Sequence, residues 1–220
     1  MFVAFVLAFG LLPLRAPAAV AQLSALQELL TRWSHVHDFS VTIDAFETSG
    51  KRTQAQKLRY EYRAPHQALL EVLDGPARGS VVVWNVGDPK AVAYRRGLAF
   101  FKLHADPHDP RLTSMRGNGV MTPNFSALLD CFAAHRSHVS EEPGPRFENE
   151  PTRAIALNYS EFTCPNDSAD DREVTRDVLY VARDTGLPVL RERYEGNTLV
   201  ERWGLLDLKL DETPSEGTTR

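Results

Sequence analysis

Two histidine pairs are the residues whose type and spacing could bind a metal ion. His35 and His37 lie two positions apart, and His135 and His138 lie three apart. Imidazoles together with a carboxylate such as Asp38 are common zinc ligands. Each pair follows the end of a predicted helix among polar residues, so solvated histidines are the simpler interpretation. We therefore predict no metal and no other cofactor.

An acidic segment offers a second possible ion site. Asp167, Asp170 and Asp171 lie close together, but their spacing is not that of an EF-hand and the glycine of that motif is missing, which favours a solvated loop. The sequence also contains no Gly-x-Ser-x-Gly, His-Glu-x-x-His, Cys-x-x-Cys or phosphate-binding glycine motif. No serine or cysteine is placed by the sequence beside a base. These features favour a binding protein over an enzyme.

The amino terminus and the cysteines predict export. Residues 1–14 form an apolar run that is too short to span a bilayer, and a small-residue pattern ends at Ala21. We interpret residues 1–21 as a signal peptide that is cleaved after Ala21, which predicts a periplasmic protein; a retained membrane anchor is the alternative. Cys131 and Cys164, the only cysteines, can form a disulfide in an oxidising compartment, or remain as two buried thiols.

Length and charge narrow the possible partners. The chain has 220 residues, 43% of them hydrophobic, which suits one globular domain with a sizeable core. The net charge is −4, and positively and negatively charged residues are scattered along the chain. The sequence therefore lacks the basic stripe that would predict a nucleic-acid partner. A mildly acidic chain also has little long-range attraction to an anionic membrane surface.

Hydrophobic periodicity predicts the elements that position these residues. The helical stripe at the start of the mature chain consists of Leu23, Leu26, Leu29, Leu30 and Trp33. Six strands should follow at roughly ten-residue spacing, a meander whose sixth strand is the apolar segment 98–106. In the second strand Leu58, Tyr60 and Tyr62 alternate with charged residues, the pattern of a strand buried on one face.

A second helix should interrupt the strands. Thr122 is the expected N-cap and Pro123 should occupy the first turn. The apolar stripe of this helix consists of Phe125, Leu128, Leu129 and Phe132. Residues 140–151 are predicted to be a linker, four or five strands should complete the domain at residues 22–210, and the polar tail at residues 211–220 should be disordered.

The order of these elements predicts the fold class. Ten or eleven antiparallel strands in one sheet must curl strongly or close. We predict an α+β protein, a half-open antiparallel β-barrel with helices covering its concave face. Each strand aromatic taken alone is more simply a core residue. An incompletely filled concave face, however, is a site for lipid or another hydrophobic ligand.

Several segments resemble a known superfamily. The cues are "LLTRWSHVHDFSVTIDAFETSG", "LRYEYRAPHQALLEVLDGP", "VVVWNVGDPKAVAYRRG" and "DTGLPVLRERYEGNTLVERWGLLDLKL". Over residues 22 to 210 the chain resembles the LolA/LolB-like outer-membrane lipoprotein carriers. The segment "RGLAFFKLHADPHDPRLTSMRGNGVMTPNFSALL" resembles more narrowly a bacterial branch of unknown function. The resemblance implies a half-open barrel with a helical lid over an acyl-chain cavity.

The predicted function is therefore a carrier or chaperone of the cell envelope that buries acyl chains of lipids or lipoproteins. The expected ligand-binding residues of the cavity and lid are Leu58, Tyr60, Tyr62, Leu70, Val72, Trp84, Tyr94, Phe101, Phe125, Leu128, Leu129 and Phe132. The expected partners are a lipid or an acylated protein, with transient membrane contact and no nucleic acid. The alternative is a periplasmic sensor or scaffold that binds a protein partner through the same fold.

Overall fold

The computed structural model describes residues 24–65, 67–98, 100–159, 162, 164 and 173–211. The predicted signal peptide, the three aspartates at 167, 170 and 171, and residues 212–220 of the predicted tail lie outside these residues. Within the described ranges, no helix is long and apolar enough to cross a membrane.

Eleven strands of the described chain form one antiparallel sheet. They are β1 (Asp38–Ser49), β2 (Arg52–Arg63), β3 (Gln67–Asp74), β4 (Ser80–Asn85), β5 (Ala91–Arg95), β6 (Leu103–Ala105), β7 (Val139–Phe147), β8 (Glu150–Asn158), β9 (Arg176–Ala182), β10 (Pro188–Glu195) and β11 (Thr198–Asp211). Their order is β6-β5-β4-β3-β2-β1-β11-β10-β9-β8-β7, so β6 and β7 are the edges and the barrel is not closed. The predicted half-open antiparallel barrel is confirmed.

Two helices cover part of the concave face. Helix α1 (Ser24–Trp33) buries Leu26, Leu29 and Trp33 against the sheet. Its first amides are held from outside the helix, because the Glu141 carboxylate accepts hydrogen bonds from the amides of Ala25 at 3.1 Å and Leu26 at 2.8 Å. A negative charge at the N-terminus of a helix is also stabilised by the helix dipole.

Helix α2 (Phe125–Ala134) begins later than the sequence predicted. Its N-cap is Asn124, whose side chain accepts a hydrogen bond from the Ser126 amide at 3.1 Å. Thr122, the predicted cap, instead accepts a hydrogen bond from the Gly119 amide at 3.0 Å. The preceding loop therefore uses the threonine to close its own turn, and asparagine takes the capping position. A 3₁₀ turn (Arg136–His138) follows the helix.

Two segments differ from the sequence-based prediction. The predicted linker at residues 140–151 is mostly strand β7, which contains Pro143. Proline cannot donate to a ladder, but an edge strand has one side free of pairing, and β7 is an edge. The predicted sixth strand is also shorter, since β6 covers only Leu103–Ala105 and leaves Phe100 and Phe101 outside the ladder.

The cysteines form a disulfide. Cys131 lies on α2, Cys164 lies beyond β8, and their Cα atoms are 5.6 Å apart. The cross-link closes a segment with a sequence separation of 33 residues and ties the second helix to the second half of the sheet. Of the two alternatives left open by the sequence, the structure contains the disulfide.

Candidate functional site

An open cavity of about 820 Å³ lies on the concave face of the barrel. Strands β2 to β5 form one wall, and residues 106–123, which we call the cover loop, form the other. The size lies within the range of sites that bind small organic ligands. The cavity is therefore the candidate binding site.

The sheet register explains the apolar wall. Tyr60, Leu70, Val82 and Ala93 are successive cross-strand partners from β2 to β5 and therefore share one face. Leu70, Val82 and Ala93 line the cavity, while Tyr60 lies beneath the helices. From the opposite side the cover loop contributes Leu112. The middle of the cavity is thus enclosed by aliphatic side chains.

The structure separates the twelve predicted ligand-binding residues into two groups. Five line the cavity: Leu58, Leu70, Val72, Tyr94 and Phe101. The other seven do not line it and lie in or against the hydrophobic core: Tyr60, Tyr62, Trp84, Phe125, Leu128, Leu129 and Phe132. Only the first group is placed to touch a ligand in this cavity.

Aromatic packing accounts for the second group. The Phe39 ring lies 5.6 Å from the rings of Tyr60 and Tyr62 and 6.3 Å from that of Phe125. Trp33 of α1 contacts both Phe39 and Phe125 edge-on, at 5.3 and 5.4 Å between ring centroids. Tyr60 is 0% exposed. Chains of such contacts fill the space between α2 and this part of the sheet.

The cover over the cavity is consequently different from the predicted helical lid. Phe125, Leu128, Leu129 and Phe132 face the packed core rather than the cavity. The residues opposite the cavity wall belong to the cover loop and include Leu112, Ser114 and Asn118. A ten-residue helix is only about 15 Å long, so α2 cannot reach the far end of the strands.

The far end of the cavity is polar. Glu47, Gln54, Ser114 and Asn118 line it, and Glu47 is 2% exposed. The Glu47 carboxylate accepts hydrogen bonds from the Ser114 hydroxyl at 2.8 Å and the Asn118 amide nitrogen at 2.9 Å. The Asn118 amide nitrogen also donates to Glu201 at 2.5 Å. The cover loop is thereby joined to carboxylates on β1 and β11.

These carboxylates belong to a charged row that crosses the sheet. Glu47 pairs with Glu201 in register, Glu201 with Arg193, and Arg193 with Asp177, so the row runs across β1, β11, β10 and β9. All four side chains are at most 2% exposed. Arg191, two residues from Arg193 along β10, donates to Asp177 at 2.6 Å. Buried ions of opposite sign in contact compensate part of each other's desolvation cost.

The pKa of Glu201 is raised to about 7, first by burial and then by the nearby Glu47 carboxylate, against the lowering effect of Arg193, Arg191 and the Asn118 amide. Glu201 therefore holds a proton more readily than an exposed glutamate does. Glu201, which accepts a hydrogen bond from the cavity-lining Asn118, can thus change its charge near neutral pH.

Arg116 is the second anchor of the cover loop. It is 2% exposed, and its guanidinium donates to the Thr48 carbonyl at 2.9 Å and to Glu195 at 2.7 Å. Thr48 and Glu195 lie at the ends of β1 and β10. The loop is therefore held to the strand ends by charge-assisted hydrogen bonds, which are stronger than neutral ones.

Sequence reasoning missed the polar end of the site. Glu47 continues the alternation of β1 inward after Phe39, Val41, Ile43 and Ala45, all of them buried. A glutamate at an inward position of β1 indicates that this end of the strand faces a polar partner, because a buried charge needs one. The partners Ser114 and Asn118 come from a loop, whose position in space no periodicity predicts.

The histidine pairs are placed at the ends of the two helices. The His135 ring stacks on Phe162 with centroids 3.6 Å apart, and His138 lies 5.3 Å from the same ring. His35 and His37 are exposed. In the part of the chain that is described, no three histidine, cysteine or acidic side chains are grouped to hold a metal ion.

No protein-family model matches this sequence, and no curated protein matches it. Solved structures do match. LprF from Mycobacterium bovis is 11% identical, with 84% of this chain and 92% of that chain covered and a TM-score of 0.46. The LolA superfamily protein NE2245 from Nitrosomonas europaea is 9% identical, with coverages of 86% and 94% and a TM-score of 0.38.

A third match is a chain of the Pseudomonas aeruginosa MucA/MucB complex. It is 18% identical, the match covers 88% of this chain and 59% of that chain, and the TM-score is 0.44. This chain therefore spans a little over half the length of that one.

Proposed function

We propose that this protein binds an amphiphile with an acyl chain, a lipid or the acyl chain of a lipoprotein, in the cavity between β2–β5 and the cover loop. The observation that carries the proposal is the cavity itself, about 820 Å³ with an aliphatic middle and one polar end. An acyl chain against Leu70, Val82 and Leu112 would gain about 0.8 kcal/mol for each buried methylene. The polar head would lie near Glu47, Ser114 and Asn118.

The proposed role is that of a carrier or chaperone rather than an enzyme. The groups at the polar end of the cavity are carboxylates, amides and a hydroxyl that bind one another. Such groups can orient a polar head, and the aliphatic wall supplies affinity without requiring one particular chain. A site of this kind suits a ligand that must be taken up and released.

The proposal includes export to the periplasm. The apolar amino-terminal run supports a signal peptide. The disulfide between Cys131 and Cys164 supports an oxidising compartment, because such bonds persist there and are rare in the cytosol.

The test is a titration with a fluorescent long-chain fatty acid. Ala93→Trp places an indole in the aliphatic part of the cavity, and Ala134→Trp makes the same change at an exposed position at the end of α2. We expect Ala93→Trp to weaken binding by about tenfold or more and Ala134→Trp to bind as the wild type does. Absence of binding by the wild type, or equal binding by both variants, would contradict the proposal.

The protein purified from its native envelope provides an independent test. Native mass spectrometry should detect a co-purifying lipid that Ala93→Trp loses. A stoichiometric protein partner in place of a lipid would favour the sensor or scaffold interpretation instead.

A further inference from the structure

Apolar side chains are exposed together at one point of the surface. Leu98, Phe100 and Phe101 are 46%, 73% and 70% exposed, and they form the turn between β5 and β6, which we call the aromatic tip. The two phenyl rings contact each other, with centroids 4.3 Å apart. Single exposed apolar residues are common on protein surfaces, but a contiguous group indicates an interaction site.

The aromatic tip has a defined backbone. The Leu98 amide donates to the Arg95 carbonyl at 2.8 Å, and the Phe101 amide donates to the Leu98 carbonyl at 3.0 Å. The turn also lies at the sheet edge, because β6 is the last strand on this side. The backbone that carries the rings is thus hydrogen-bonded, and the rings are exposed rather than packed into the core.

Cations surround the aromatic tip. Arg95, Arg96 and Lys102 flank it in sequence and all three are exposed. Arg96 is bound to Glu71 at 2.6 Å. Arg95 and Lys102 have no ion pair with any residue of the described chain and so present uncompensated charge. A net charge of −4 for the whole chain therefore conceals a local basic patch.

This combination fits the surface of an anionic phospholipid bilayer. Aromatic and leucine side chains are stabilised at the boundary between headgroups and acyl chains, at a depth of about 5–10 Å. Each cation near an anionic leaflet adds attraction to the surface, and this attraction weakens with salt. A pocket on another protein would fit the rings equally well. The two cations beside the rings, Arg95 and Lys102, favour instead a surface that carries many anionic groups.

The aromatic tip also lies at the opening of the cavity. Phe100, Phe101, Arg95 and Lys102 are among the residues that line it. We propose that the aromatic tip docks the protein onto an anionic phospholipid bilayer, with the opening of the cavity turned toward the lipid. An acyl chain could then pass between bilayer and cavity without crossing water. Docking needs no ligand in the cavity, so vesicle binding tests it independently of the proposed function. Only the transfer of an acyl chain between bilayer and cavity rests on the proposed function.

The experiment is co-sedimentation with large vesicles of phosphatidylcholine, with or without one-third phosphatidylglycerol. Phe100→Ser/Phe101→Ser removes the rings, and Val86→Ser is the matched control, since Val86 is 40% exposed in the turn after β4. We expect the double variant to lose about tenfold in partition coefficient on the mixed vesicles and the control to bind as the wild type does. Thermal melting checks that both variants are folded.

A charge variant and an insertion probe complete the test. Arg95→Gln/Lys102→Gln should weaken binding to the phosphatidylglycerol vesicles only, and about 0.15 M salt should weaken wild-type binding in the same direction. Phe100→Trp should show a blue-shifted emission component on these vesicles that the wild type lacks.

Three results would overturn the docking. The first is a wild type that does not sediment with either vesicle, and the second is a double variant that binds as well as the wild type. The third is a wild type that binds no vesicle but forms dimers in sedimentation velocity, while Phe100→Ser/Phe101→Ser stays monomeric. The aromatic tip would then bind a second copy of this chain.

Discussion

Asn118 should control how often the cover loop opens. Its side-chain amide donates to Glu47 at 2.9 Å and to Glu201 at 2.5 Å, and it joins the loop to two strands at once. Asn118→Ala removes both hydrogen bonds and leaves two buried carboxylates with fewer donors. A hydrogen bond to a charged group contributes about 1.5–3 kcal/mol. The loss of two should therefore cost at least about 3 kcal/mol of local stability.

This loss of stability should be confined to the cover loop. Ser114 still donates to Glu47, and Arg116 still binds Thr48 and Glu195, so the fold retains its other anchors. A loss of about 3 kcal/mol corresponds to an open population about 100-fold larger. The Asn118 amide also lowers the pKa of Glu201, so Glu201 of the variant should hold its proton more tightly.

Amide hydrogen exchange measures this opening directly. The Arg116 amide donates to Glu47, and the amides of Gly117 and Asn118 donate to Ser114. All three should exchange about 100-fold faster in Asn118→Ala. Amides of the central strand β1 should keep their wild-type rates. Asn85→Ala is the control, because Asn85 makes comparable side-chain bonds to Gln67 and Asp88 at an exposed site. Unchanged exchange of the loop amides, or an equal acceleration in β1, would refute the anchoring role.

Two further predictions concern Glu201 and the disulfide. The folded pKa of Glu201, about 7, lies above that of an unfolded glutamate, so the stability from its bound proton is complete below about pH 4.3 and lost as pH rises through about 7. Urea denaturation across this window should show a loss of about 3.7 kcal/mol that Glu201→Gln lacks, and parallel profiles would contradict this assignment. Cys131→Ser/Cys164→Ser should lower the unfolding free energy by about 3–4 kcal/mol, the loop-entropy value for a separation of 33 residues, and a loss below about 1 kcal/mol would exclude that contribution.

The sequence pattern predicted which face of each strand is buried, but not what covers it. The alternation of Leu58, Tyr60 and Tyr62 places all three on the concave face, as their pairing with Ile43, Val41 and Phe39 shows. Which of them meets a helix and which meets the cavity depends on where α2 docks. That position is set by contacts between residues far apart in sequence, so local periodicity carries no information about it.

The aromatic tip shows a related limit. An apolar run such as residues 98–101 normally predicts a buried strand, because burial is what stabilises apolar side chains. The structure instead begins β6 at Leu103 and exposes Phe100 and Phe101. The sequence did contain an indication of this exposure. Arg95, Arg96 and Lys102 flank an apolar segment that is too short to form a strand of its own.

The cavity follows from a mismatch in length between the helices and the sheet. The twelve residues of β1 extend about 40 Å, whereas the ten residues of α2 extend about 15 Å. Helices therefore seal one end of the concave face, and a loop must cover the other. The loop is held there by hydrogen bonds to Glu47, Glu195 and Glu201 and by the contacts of Leu112, Val120 and Met121 with the apolar core. A cover of this kind can open without unpacking the rings around Phe39, which gives the cavity access to ligand while the fold stays intact.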